Sequence, residues 1–191
     1  MEEVPARLVD LTKEEKEFIK NYNFLTMKPM LYIANVSEDD IATGNEYVEK
    51  VKEFAKKDKA EVVVVSAKIE EELSDLDDET KEEFLKDYGL EQSGLDILVQ
   101  KAYDLLGLKT FLTAGPDECR AWTFKNGMKA PECAGIIHSD FERGFIRAET
   151  YAFDDLVQYG TPLKVKEAGR VRLEGKEYIV QDGDVIFFKF N

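Results

Sequence analysis

Four consecutive valines, Val62 to Val65 in the stretch EVVVVS, constrain the fold of this chain more than any other feature. A branched apolar run without alternation suits a strand buried on both faces, as in a parallel sheet covered by helices. Upstream, residues 30–34 read as another strand, and Tyr47, Val48, Val51, Phe54 and Ala55 recur between the two at helical spacing. Strand, helix, strand is a βαβ unit with an expected right-handed crossover. Thr12 followed by Glu15 is a capping-box pattern, and Phe18, Ile19, Tyr22 and Leu25 predict a helix leading into the first strand. Two further helices are predicted, one over residues 78–88 stopped by Gly89 and one from Ser93 to Leu106 stopped by Gly107.

Beyond Gly107 the hydrophobic period changes from about 3.6 to about 2, so the predicted domains are 1–107 and 108–191. The second half reads as short strands at 109–113, 119–124, 145–151, RVRL, EYIV and DVIFFKF, with turn pairs Asn126-Gly127, Glu174-Gly175 and Asp182-Gly183. Pro131 suits the first turn of a short helix running toward His138. The expected architecture is α/β with a parallel βαβ unit, followed by a small α+β domain of β-grasp type.

With 43% apolar residues in 191, the chain has ample material for a core. It holds no apolar run approaching the roughly eighteen residues of a membrane span, and the stretch MEEVPARLVDLTKEEKE has no apolar signal-peptide region, so a cytoplasmic protein is expected. Residues 1–108 carry 14 basic against 27 acidic side chains, whereas residues 109–191 carry 12 against 13. The first half should repel phosphate backbones; the second could still touch RNA. Cys119 and Cys133 with the single His138 cannot complete a zinc shell, and both thiols are expected to be reduced and structural.

Asn35 closes the first strand in KPMLYIANVSEDD, at the strand end where open α/β sheets bind ligands. Its amide offers donors and an acceptor to an adenine edge, and Glu38 can accept from N–H groups. Taken alone, Asn35 reads as a turn residue before a base reader. Ser66-Ala67-Lys68 stands at the end of the valine strand, so the two loops should open on the same edge. A phosphate-wrapping G-x-x-x-x-G-K-[ST] loop is missing; Gly169 to Lys176 has one residue too many between its glycines, and Glu177 stands where the hydroxyl belongs. No G-x-G occurs either. Asn35 thus heads the base half of a site whose phosphate half is not in this sequence.

KPMLYIANVSEDD, EVVVVSAKIEEEL, CRAWTFKNGMKAPECAGIIHSDFERGFIRAE and EGKEYIVQDGDVIFFKFN together resemble the C-terminal half of YchF-type Obg-like ATPases, across essentially the whole chain. The resemblance implies that residues 1–107 are the end of a P-loop NTPase domain and residues 108–191 a TGS domain, a ubiquitin-like β-grasp module. It places Asn35, Val36 and Glu38 on the base motif of GTPases, with Val36 for the lysine and Glu38 for the aspartate that reads guanine, a departure that implies ATP in preference to GTP. It places Ser66, Ala67 and Lys68 on the second base-contacting loop. Mg²⁺ and the phosphates would be held by the rest of the longer protein, so no hydrolysis and only feeble ATP binding are expected of this chain alone. The implied partner is the ribosome, through its large subunit or the whole particle, with no DNA and no membrane.

In the second half His138 has no evident nucleophile partner and reads as structural, and Asp140, Glu142, Arg143 and Arg147 read as an interaction surface or as local ion pairs. The better candidate surface is Lys164, Lys166, Arg170, Arg172 and Lys176, with Arg170 and Arg172 on one strand face and Trp122 and Phe124 in a neighbouring strand for stacking. The alternative is an ordinary solvated face with Trp122 in the core. The chain could thus be the base-binding and TGS part of an ATPase, a nucleotide-independent TGS binding module for ribosome, RNA or protein partners, or an intramolecular regulator of the NTPase site. An incomplete parallel sheet predicts an open edge, with oligomerisation or marginal stability for residues 1–105, whereas residues 108–191 should fold alone.

Overall fold

The computed structural model describes residues 4–115 and 118–191, so the first three residues of the stretch read for a signal peptide lie outside it. The chain forms two compact units, the first ending at Leu106 and the second spanning Gly107–Asn191.

In the first unit, helix α1 (Lys13–Ile19) starts at the Thr12–Glu15 capping box, in which each residue's side chain accepts the other's backbone N–H. It is shorter than its apolar spacing predicts. The chain tightens into a 3₁₀ turn at Lys20–Tyr22 and leaves through Asn23 at a left-handed φ of 50°. Phe18, Tyr22 and Leu25 are therefore exposed, with no buried face to hold a longer helix.

Strand β1 (Leu31–Asn35) and strand β2 (Glu61–Val65) pair in parallel, Ile33 beside Val63 and Asn35 beside Val65. Helix α2 (Glu46–Lys57) connects them, capped by Asn45, whose Oδ1 accepts the N–H groups of Tyr47 and Val48. The βαβ unit is present, but the valine run is not buried throughout. Val63 is 3% exposed while Ile33 beside it is 53% exposed. A two-stranded sheet has no flanking strands, and the helices pack mainly over β2.

Strand β2 runs directly into α3 (Ala67–Ser74), followed by α4 (Asp78–Asp87) and α5 (Gly94–Leu106). Helix α3 is absent from the sequence reading, although Ile69 and Leu73, both buried, are four apart. Elsewhere in this unit, Arg7 donates to both oxygens of Asp58, and Tyr32 donates to Asp58 at 2.8 Å.

The second unit is a five-stranded mixed sheet: β3 (Leu108–Ala114), β4 (Cys119–Lys125), β5 (Phe145–Ala152), β6 (Arg172–Glu174) and β7 (Asp184–Phe190), in the order β4-β3-β7-β5-β6. Strands β3 and β4 pair antiparallel, and β4 is closed by the turn Asn126-Gly127, Gly127 having a φ of 91°. Strand β7 lies parallel to β3 and antiparallel to β5. Helix α6 (Ala130–Ile137) covers the core of Phe111, Phe124, Phe145 and Phe188 with Cys133 and Ala134. Short helices α7 (Ser139–Arg143), α8 (Phe153–Tyr159) and α9 (Pro162–Glu167) complete the unit.

Three expectations are corrected here. EYIV is no strand: Ile179 makes an isolated bridge to Lys129, and the segment turns so that Tyr178 Oη and Gln181 N can donate to buried Asp184. Lys164 and Lys166 lie on α9, and Arg170 precedes β6, so Arg170 and Arg172 do not share a strand face. Strands β4 and β6 are opposite edges of the sheet, roughly 19 Å apart at the usual strand spacing, so Trp122 and Phe124 are not beside the basic residues.

Candidate functional site

The parallel register of β1 and β2 decides what meets at their C-terminal ends. Asn35 is level with Val65, so the residue after each strand emerges on the same edge, and Val36 N continues the pairing by donating to Val65 O at 2.8 Å. Across the gap, Ala67 N donates to Asn35 Oδ1 at 3.0 Å. A backbone N–H can only donate, which fixes the orientation of the Asn35 amide. Its Nδ2 group is left without a partner among the described residues. The acceptor half of Asn35 is thus spent on the fold, leaving two donors for a ligand.

Ser66, Ala67 and Lys68 are not an open loop. Ser66 is the N-cap position of α3, and Ala67 and Lys68 form its first turn. The Ser66 side chain makes no capping bond; it is 2% exposed, and its Oγ has no hydrogen-bond partner. Buried polar atoms are nearly always paired, so a lone hydroxyl at a strand end is unspent hydrogen-bonding capacity. Opposite it, Glu38 opens a 3₁₀ turn (Glu38–Asp40) and pairs with Lys68. Glu38 Oε1 is closed to solvent, whereas the Lys68 side chain is 65% exposed. The Glu38 hydrogen bond and charge raise the Lys68 ammonium above its ordinary pKa, keeping it protonated.

The rest of the loop is stitched to itself. Ser37 Oγ and Asn45 Nδ2 both donate to Asp40 Oδ2, at 3.0 and 2.9 Å. Glu38, Asp39, Asp40 and Glu46 make the surroundings acidic, suited to donor groups of a base and unsuited to phosphates. All six residues singled out in the two segments, Asn35, Val36, Glu38, Ser66, Ala67 and Lys68, therefore come together. Missed from the sequence were α3 itself and Gly94, whose N–H donates to Glu70 Oε1 and ties α5 to α3. The Ile69–Leu73 spacing was the available signal for the helix.

In the second unit the basic residues divide. Arg172 is committed to contacts within the fold, although half exposed: it donates to Tyr178 Oη and Asp184 Oδ1, both at 3.0 Å, and lies 3.4 Å from Glu174. Arg170 lies 3.9 Å from Asp155. Lys164, Lys166 and Lys176 are exposed with no side-chain partner among the described residues. Phe124 is core, and Trp122 is half-buried, its Nε1 donating to Thr113 Oγ1 and its ring covered by Arg120 at 4.2 Å.

His138 accepts Asp140 N–H and caps α7, as its structural reading expects. Asp140 lies 3.8 Å from Arg143 and Arg147 3.7 Å from Glu149, as weak local ion pairs. Burial pushes the Cys133 thiol up to about 12, so it is inert; both cysteines are free, Cys133 buried in the core and Cys119 exposed. Among the described residues, no group of three or more His, Cys, Asp or Glu side chains is placed to hold a metal ion, and no helix is long and apolar enough to cross a membrane.

Residues 108–191 match the family YchF-GTPase_C, described as a protein of unknown function (DUF933). The chain is 60% identical over 191 residues to the ribosome-binding ATPase YchF of Bacillus subtilis (strain 168), covering 99% of this chain and 52% of that protein. It is 54% identical over 185 residues to the ribosome-binding ATPase YchF of Pasteurella multocida (strain Pm70), covering 97% of this chain and 51% of that protein. Among solved structures, the YchF GTPase of Schizosaccharomyces pombe superposes with a TM-score of 0.84 at 34% identity, over 97% of this chain and 50% of that one. The chain spans about half the length of the curated relatives it matches.

Proposed function

We propose, for a chain that is the C-terminal half of a YchF-type protein, that residues 1–107 supply the base-reading side of a nucleotide site and residues 108–191 a TGS interaction domain. The longer protein would be a ribosome-associated, cytoplasmic, ATP-preferring NTPase. The observation that carries the nucleotide reading is the Asn35–Ala67 clasp, which leaves Asn35 Nδ2 and Ser66 Oγ unpartnered on one edge. Asn35 Nδ2 suits the N7 acceptor of a purine. Mg²⁺ and the phosphates would be held by the remainder of the protein, and Mg²⁺ there would neutralise charge developing on the transferred phosphoryl group. This chain's own part is to orient the base, and alone it should not hydrolyse ATP.

A base without phosphate contacts binds weakly, with a dissociation constant on the order of a millimolar. Titrating the chain with adenosine and following amide signals by NMR should shift Asn35 Nδ2, Ala67 and Lys68 first. Silence at those groups with saturating adenosine overturns the site, and saturation by a fluorescent ATP analogue at low micromolar concentration overturns the half-site reading.

A nucleotide-independent role for residues 108–191 is favoured by the uncommitted Lys164, Lys166 and Lys176. The sheet order, with parallel β3 and β7 at its centre and α6 across it, supports the β-grasp assignment. Pelleting with ribosomes should weaken as salt rises and fall further in a Lys164→Glu, Lys166→Glu variant. Pelleting insensitive to both removes RNA phosphate contact as its basis.

A further inference from the structure

We propose that the outer edge of β4 is a docking site for an extended segment of a partner protein, one that alternates acidic and apolar side chains. The site lies in the second unit and is independent of the nucleotide reading.

The two edges of the sheet differ. Strand β6 is three residues long, whereas β4 is seven, contains no proline and pairs with β3 in unbroken register. A long regular edge is a template for another strand unless something blunts it. The hydrogen-bonding phase of the pair decides which groups it offers. Gly115 N donates to Glu118 O and Asn126 N to Gly107 O, both in the register of the ladder, so Thr113 with Arg120 and Phe111 with Trp122 are the pairs that exchange bonds. Cys119, Ala121, Thr123 and Lys125 therefore turn their backbone groups away from β3. Lys125 is closed, its N–H donating to Met128 Sδ at 3.4 Å and its carbonyl accepting Met128 N–H at 3.1 Å. Cys119 and Ala121 have no such partner among the described residues, and they present donors and acceptors as an added strand requires.

The two faces of β4 decide what that strand would carry. Cys119 and Ala121 share a face with Ala114 and Leu112, and a cavity of about 250 Å³, lined also by Phe153 and Leu156 of α8, opens beside them. Small side chains at this edge leave room for an apolar one from an incoming strand. On the opposite face Arg120 is exposed, covers the Trp122 ring at 4.2 Å and has no carboxylate partner among the described residues. Both charged residues of β4, Arg120 and Lys125, are basic. Successive side chains of an extended strand point to opposite faces, so an apolar group beside Ala121 and an acidic one beside Arg120 mean strict alternation. Charge disfavours a second copy as the occupant. Two β4 edges paired about Ala121 would set their Arg120 side chains on one face about 7 Å apart, and each copy carries a net charge of −14.

The test is an NMR titration of the chain with a short synthetic peptide alternating glutamate and valine, set against a block peptide of the same composition and an alternating lysine–valine peptide. The glutamate–valine peptide should slow amide exchange at Cys119 and Ala121 and leave Trp122, already bonded to Phe111, unchanged. The lysine–valine peptide should bind about tenfold more weakly, the scale of exchanging opposite for like charges across neighbouring strands. Arg120→Glu should reverse the order of the two alternating peptides, which apolar adhesion alone would not produce. Ala121→Pro removes an outward donor that the fold does not use, and should abolish binding of either while the other β3 and β4 amide signals persist. Equal binding of the block peptide, or no protection at Cys119 and Ala121, overturns the proposal. Protection there that rises with chain concentration in the absence of peptide makes a second copy the occupant and overturns the acidic partner.

Discussion

At the residue scale, Asn35 does two jobs with the two ends of one amide, and substitution can separate them. Asn35→Asp keeps an oxygen for Ala67 N–H and removes the donors, so the fold should survive while adenosine shifts disappear. Asn35→Ala removes both and should also cost about 1 kcal/mol of stability, by leaving the first N–H of α3 unpaired. Equal stability loss in the two variants, read from urea unfolding, would contradict the division. Asn35 was legible because a strand-ending asparagine has few uses; its commitment to Ala67 was not, since the partner lies 32 positions away. Asp58 is a second such case, unremarked in sequence because its partners, Arg7 and Tyr32, sit 51 and 26 positions from it. Hydrogen bonds from Arg7 first, and then Tyr32, hold its carboxyl below the ordinary range. A depressed carboxyl pKa adds stability above its unfolded value of about 3.9, and that stability is lost as pH falls through the lower folded value. Asp58→Asn should therefore be less stable than wild type at pH 7, and the gap should close below about pH 4. Urea midpoints at the two ends of that range check it, and a gap independent of pH would rule it out.

At the element scale, the site depends on how closely α5 approaches β2. A Cβ at Gly94 would stand 2.9 Å from Val65 Cγ1 and 3.1 Å from Glu70 Oε1. Overpacking of this kind costs about 1–3 kcal/mol, against the roughly 1 kcal/mol that alanine gains over glycine in a helix. Gly94→Ala should thus lower the melting temperature and disturb the amide signals of α3, because the Gly94 N–H to Glu70 bond ties the two helices. A melting temperature at or above wild type would mean that Val65 yields without cost. The elements themselves were unequally legible. The βαβ unit and the strands β3 and β4 announce themselves through periodicity, and the end of β4 through its Asn-Gly turn. Helices α8 and α9 are only 7 and 6 residues long, too short for a periodic pattern to stand out. What fixes them is tertiary: Val165 of α9 is fully buried against Tyr151 and Val185. Arg170 and Arg172 were misassigned for the same reason, as β6 is three residues long and its register is set by β5.

At the scale of the whole molecule, stability and charge are distributed in opposite ways. Both clusters of buried apolar side chains found among the described residues lie in the second unit. In the first, Ile33 is 53% exposed, Phe54 60%, Leu95 55% and Leu106 57%. Unfolding should accordingly occur in two steps, with amide exchange protection lost from residues up to 106 before residues 107–191. Exposed apolar surface also favours self-association, but the first half carries nearly all of the net negative charge, which opposes it. Salt screens the repulsion and leaves the apolar attraction, so the weight-average mass in sedimentation velocity should rise with ionic strength. Ribosome association through Lys164 and Lys166 should respond in the opposite direction, since salt competes with phosphate contacts. The opposite signs make the two associations separable in one salt series. A chain that stays monomeric from low to high salt, with equal protection in both units, would show that the uncovered faces of the first unit cost it nothing.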